Sequence, residues 1–261
     1  MMNDVSISRR RTFGLLGSAA LLASVPRTVW AGETAPGSEG LAPGAPMLAE
    51  LSRRLAAAPR RRSFASVPFM IDRPELWDHD ASALLLGYRG SRTQVWESSD
   101  IAAAWLNLMR EAMNGQVFAH GHPDFLAVAA VHGSAQLALF GQDMWAKYGL
   151  AANVGGKPAE NVFVREACGV SPSDDRQKLD GFYGPGNSNI VSLQRRGAVM
   201  VACHDSIHAI ARGIASKQGG APDLVAADLT NNLIPGVVLV PSVVAYLIEL
   251  QHAGFTYAKG S

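Results

Sequence analysis

Along the C-terminal two thirds of the chain, short apolar runs alternate with stretches of helical period. The clearest case is 198–214, AVMVACHDSIHAIARGI. Ala198–Ala202 is continuously apolar, carries β-branched Val199 and Val201 and follows Gly197. That predicts a strand buried on both faces, as in a parallel sheet. After Cys203 the period changes, and Ile207, Ile210, Ala211 and Ile214 fall on one helical face. Cys203 therefore stands where a strand passes into a helix, the edge at which open α/β sheets gather ligands and reactive groups. A helix N-terminus also favours negative charge, and so an ionised thiol.

The same alternation predicts the other elements. Thr93–Trp96 is a first strand, and Asp100 is an N-cap for a helix to about Asn114. Phe125–Val131 is a second strand, closed by His132-Gly133-Ser134; helix follows over Ala135–Phe140 and Asp143–Tyr148. Ser188–Arg196 is a short helix before the Ala198 strand. Pro222–Asn231 is a helix, Gly236–Val240 a fourth strand, Pro241–His252 a helix and Phe255–Ala258 a last strand. Strands separated by helices imply a parallel sheet. The fold class expected is α/β: a mainly parallel five-stranded sheet flanked by helices, in flavodoxin-like layering, with an N-terminal extension. Residues 151–189 interrupt the rhythm as a loop insertion dense in Gly, Pro, Ser, Asn and Asp, and carry Cys168.

Upstream the pattern is weaker. Residues 32–62 read as a flexible leader, with a short amphipathic helix over Met47–Ala58 and a solvated basic run at Arg60-Arg61-Arg62. Residues 63–92 form the N-terminal extension proper: Ser63–Ile71 is a weak strand candidate, Pro74 a first helical residue, and Glu75–Gly87 one short helix. Residues 93–261 are the α/β domain.

Residues 1–31 read as an address. Arg9–Phe13 gives a basic start, Gly14–Val25 an apolar core and Val29-Trp30-Ala31 a small-residue cleavage site. Arg10-Arg11-x-Phe13 resembles the twin-arginine (Tat) motif, which implies export to the periplasm in the folded state. The apolar run is shorter than the ~20 residues of a membrane span, so no stable membrane insertion is expected after its removal.

Composition adds mainly exclusions. The 261 residues are 48% hydrophobic and 17% charged, with a formal charge of +1. These values describe an ordinary globular chain with no sign of nucleic-acid binding. Removing residues 1–31 takes four arginines and one aspartate and turns the balance slightly negative.

A parallel sheet gathers its strand ends on one edge: Glu97, then His132 and Ser134, then Cys203 and His204, then Pro241 and Ser242. Cys203 is the leading candidate, as a thiolate nucleophile or sulfur carrier. The alternatives are a buried thiol acting as a small hydrophobe, or a disulfide with Cys168. His132 follows a buried strand and precedes a glycine that admits close backbone approach. His204 and His208 are four apart and could chelate a metal. Adjacent Cys203 and His204 point apart, however, and the reading preferred places His204 on a backbone carbonyl and His208 on the solvent side. No metal site is assigned, and no cofactor is indicated. His120-Gly121-His122-Pro123 is a turn, and Gly181–Gly186 lacks the Lys-Ser/Thr of a phosphate loop.

Together, Ala130–Gly133, Arg196–Cys203, Leu233–Pro241 and Glu249–Tyr257 resemble the DsrE/DsrF-like family, in its exported branch with a Tat-type leader. The resemblance covers roughly residues 93–259, apart from the insertion. It implies the α/β domain above, homo-oligomers, and in sulfur-oxidising members a cysteine that carries persulfide sulfur. This chain lacks a second nearby cysteine. The expectation is a periplasmic protein that binds or transfers sulfane sulfur through Cys203. His132 and His204 would tune the thiol, and Gly133, Ser134, Pro241 and Ser242 would hold a small sulfur-containing ligand. The alternatives are a non-enzymatic small-ligand or metal-binding protein and an oligomeric structural member with a silent site.

Overall fold

The computed structural model describes residues 37–260; the leader peptide expected over 1–31 lies outside them. The core is one five-stranded, all-parallel sheet of β1 (Thr93–Ser98), β2 (Leu126–Val131), β3 (Val199–Cys203), β4 (Val238–Val240) and β5 (Thr256–Lys259). Their spatial order is β4-β3-β2-β1-β5. The expected α/β class and its five strands are thus present. β2 and β3 are buried at every position, as their unbroken apolar runs require.

Alternation along the strands feeds two cores. Trp96, Ala127, Ala129, Val131, Met200, Ala202 and Leu239 pack beneath α3 (Trp105–Asn114), α4 (Gln142–Tyr148), α5 (Ile190–Arg195), α6 (His204–Gln218) and α7 (Pro222–Asn231). Val95, Val128, Ala130, Val201, Cys203 and Val240 point the other way. They pack beneath α8 (Val243–His252), the helix that returns the chain from β4 at one edge to β5 at the other.

One returning helix cannot cover five strands. The remainder of this face is closed by α1 (Pro46–Ala57) and α2 (His79–Leu86), from segments the sequence places in a flexible leader and an extension. Leu48, Leu51 and Leu55 bury one stripe of α1 in the second core, worth roughly 1.5–3 kcal/mol each. Gly197, at φ +91°, leaves room for Leu48; a Cβ there would lie 2.7 Å from Leu48 Cδ2. The basic run is not a solvated linker either. Arg62 Nη2 donates to Asp78 Oδ2 at 2.8 Å and to Val237 O at 3.1 Å, and Arg60 Nε donates to Val237 O. The buried Asp78 carboxylate also accepts the amides of Arg61 and Leu239. The leader is therefore stitched to β4.

Two further expectations change upstream. Residues 63–71 form no strand; they cross α6 and α7 as an irregular strap, held by bonds such as Val67 N–H to Asp223 O and Asn231 Nδ2 to Phe64 O. The single helix expected over 75–87 is split into a 3-10 turn (Pro74–Leu76) and α2, because Asp78 between them faces inward to Arg62 and Leu239. The insertion at 151–189 holds short 3-10 turns and no strand. Its buried asparagines fix it: Asn161 Nδ2 donates to Ala138 O and Phe140 O, and Asn187 Nδ2 to Phe182 O. Among the described residues no helix is long and apolar enough to cross a membrane.

Candidate functional site

The carboxyl ends of the strands bring Tyr257, Glu97, His132 and Cys203 into one row. In the β1–β5 register Tyr257 lies opposite Val95, and Glu97 leaves the same face of β1 two residues on. Tyr257 Oη donates to Glu97 Oε2, and His132 Nε2 lies 3.0 Å from Glu97 Oε1. His132 continues β2 in extended conformation (φ −148°, ψ −170°), one step beyond the Val131–Ala202 pair. By register it is the neighbour of Cys203 on β3, on the face beneath α8, while its ring reaches to Glu97 on β1.

The row runs from exposed to buried. His132 and Glu97 side chains are 21% and 24% exposed, whereas Cys203 is 3% exposed. The hydrogen bond from Tyr257 holds Glu97 below the usual carboxylate range, and His132 and Lys259 add to this against the cost of partial burial. Glu97 in turn raises Tyr257. An ionised Glu97 fixes which ring nitrogen of a neutral His132 carries the proton: Nε2–H donates to the carboxylate, leaving Nδ1 as acceptor.

The thiol does not use the helix the sequence suggests. Cys203 immediately precedes α6, but its side chain turns to the opposite face, where Sγ accepts the Val243 amide at 3.4 Å at the first residue of α8. Its own amide donates to Oε1 of the buried Gln136. Both thiols are free, Cys168 exposed and Cys203 buried, so the disulfide alternative is absent.

The other candidates do not join the row. His204 Nε2 lies 2.9 Å from Pro68 O, and burial, the largest influence, lowers its pKa despite that carbonyl. It holds the strap and is not placed to tune Cys203 in this arrangement. His208 is not on the solvent side: it is 2% exposed, with Nε2 3.3 Å from Val67 O and 3.5 Å from Asp223 Oδ1. The strap covers a helix face that the periodicity of α6 alone leaves open. No group of three or more His, Cys, Asp or Glu side chains among the described residues is arranged to hold a metal ion.

The supporting candidates shape the turns. Gly133, at φ +56°, brings the backbone so close to Ser99 that a Cβ would sit 2.5 Å from its carbonyl oxygen. Its amide donates to Ser206 Oγ at 3.2 Å. Ser134 Oγ accepts the Ile101 amide and donates to Ser99 O. Pro241 O accepts the Asp205 amide, and Ser242 caps α8 by accepting from Ala245 N–H. These residues hold three loops in register around the row.

Reasoning from sequence named Glu97 only as a strand end and missed Tyr257 and Ser206. Tyr257 becomes a neighbour of Glu97 only because β5 pairs with β1, and chain order does not reveal that pairing. No family model matches the chain, and no curated protein matches it.

Proposed function

We propose that this protein is a DsrE-like sulfur-handling protein, exported to the periplasm by the Tat route, in which Cys203 accepts sulfane sulfur and His132 manages the proton. What supports this reading is the strand-edge arrangement: Tyr257 and Glu97 hold the His132 imidazole at the end of β2, and the neighbouring strand β3 ends at a free thiol whose sulfur already accepts a helix N-terminal amide. With a persulfide donor R–S–SH, Nδ1 of His132 takes the Cys203 proton and the sulfur attacks the terminal sulfur of the donor. The donor S–S bond breaks, Cys203–S–SH forms, and R–S⁻ leaves and recovers the proton as R–SH. A thiol this buried needs the β4–α8 turn at Pro241–Ser242 to part for entry, and a closed turn would then shield the persulfide from water. Self-association belongs to the same reading and is supported by exposed Val244 and Ile248 one turn apart on α8.

The test is intact mass after exposure to a persulfide or polysulfide. Gain of one sulfur atom, lost on reduction and absent in Cys203→Ser, supports the carrier. An unchanged mass refutes it.

The burial of Cys203 favours a second reading: a non-covalent binder that takes a small polar ligand on Glu97, His132 and Tyr257 alone. Saturable ligand binding unaffected by Cys203→Ser would select it.

A further inference from the structure

The opposite edge of the sheet carries a cavity of about 530 Å³ between the amino ends of β1 and β5, within the size range of small-molecule sites. Tyr88 and Phe125 form apolar wall, and Thr93, Gln94, Gln116 and Thr256 form polar wall. Arg89 and Arg92 supply its charge, and no acidic residue lines it. We propose that this cavity binds a small ligand through an oxyanion group, carboxylate or phosphate, held by the two guanidinium groups.

The donor inventory supports this chemistry. Arg89 Nη1 donates to Leu86 O, at the end of α2, and to Tyr88 O, and Arg92 Nη1 to Ser91 O, all main-chain oxygens close in sequence. Neither arginine forms an ion pair among the described residues. A planar guanidinium with free N–H groups matches a carboxylate or phosphate in a two-point arrangement. The Gln94 and Gln116 amides extend the donor set beyond the anion.

The helix ends nearby oppose an anion, and their magnitude decides the sign. α2 and α8 both end at this edge and present carbonyls, equivalent to roughly half a negative charge each. Two arginines outweigh these two ends by about one full charge; the Asp124 carboxylate behind Tyr88 also opposes an anion and is itself engaged by the Leu48 amide. Gly90 lets the Tyr88 ring fold over the loop as cavity wall: a Cβ there would lie 2.3 Å from Tyr88 Oη. Thr93 Oγ1 donates to Gly254 O and Thr256 Oγ1 to Thr93 O, which fixes the floor where β1 and β5 meet.

The experiment is calorimetric titration of the purified chain with inorganic phosphate and with succinate, against sodium chloride of matched ionic strength. Saturable binding of either probe that weakens at least tenfold in the double variant Arg89→Ala/Arg92→Ala, but not in Arg73→Ala, an exposed arginine beside Asp72 that does not line the cavity, is the expected result. Which probe binds tells phosphate from carboxylate. Because Arg89 also bonds the end of α2, Gln116→Glu is the second variant: it keeps both guanidinium groups and is expected to weaken binding by like-charge repulsion. No saturable binding of either probe, or binding that survives both the double variant and Gln116→Glu, overturns the proposal.

Discussion

Nε2 of His132 lies 3.0 Å from Oε1 of Glu97, across the pairing of β2 with β1, and the same carboxylate accepts the Tyr257 hydroxyl from β5. Three neighbouring strands thus fix one imidazole. Glu97→Gln keeps the shape and removes the charge that sets the tautomer. Because both side chains are partly exposed, the stability change is expected to be within ~1 kcal/mol. If His132 manages the proton of Cys203, the rate of sulfur loading falls by about 10²-fold or more. Melting temperature and time-resolved mass measure the two separately. An unchanged loading rate would remove His132 and Glu97 from the chemistry.

The buried Asp78 joins the N-terminal segment to β4. Asp78→Ala strands the Leu239 amide and leaves Arg62 without its carboxylate, while Arg60 keeps its carbonyl partners. The expected cost is ~3–5 kcal/mol, as for breaking a buried pair. Chemical denaturation measures it. Deleting residues 1–62 goes further, because it uncovers the face containing Val128, Ala130 and Val201. That protein is expected to aggregate on expression, and a soluble, cooperatively melting form would show that α8 and α2 suffice as cover.

The contrast between strands and leader explains what the sequence made legible. β2 and β3 are buried on both faces, and their apolar runs state this without reference to anything else. Cys203 at a strand end was readable for the same reason. The direction of its side chain was not: it depends on counting alternation back from Val201 and on knowing that α8 covers that face. The leader misled because Leu48, Leu51 and Leu55 make a stripe only two turns long, and because Arg60 and Arg62 find partners in β4, far away in sequence. The burial of His208 is hidden in the sequence for a similar reason, since a strap with no regular period covers it.

Gly133 is required where it stands. Gly133→Ala would place a Cβ 2.5 Å from Ser99 O at φ +56°. A left-handed non-glycine residue costs on the order of 1–3 kcal/mol, and the clash adds to it. The neighbouring His132 is expected to shift away from Glu97. The variant should melt lower and show a changed His132 imidazole resonance by NMR. Gly121→Ala, also at positive φ but with open space around it, serves as the comparison.

The strap over α6 is expected to weaken in acid. Nδ1 of His204 and of His208 is buried without a partner, and the two rings lie 5.4 Å apart between the strap and α7. Asp205 on α6 and Asp223 on α7 are the acidic groups near the pair, and Arg212 lies against Phe69 of the strap. Burial lowers the pKa of His204 below its ordinary 6.5. The unfolded chain therefore takes up this proton at a pH where the folded chain does not. The stabilising contribution is full above pH ~7 and declines as pH falls below about 6.5. Below the lowered folded value it falls no further. Melting temperature should drop between pH 7.5 and pH 5.5, and His204→Gln should flatten that drop while lowering stability at pH 7.5. Hydrogen exchange at the Val67 amide, which donates to Asp223 O, reports the strap directly. A pH profile unchanged by His204→Gln would show that acid acts elsewhere.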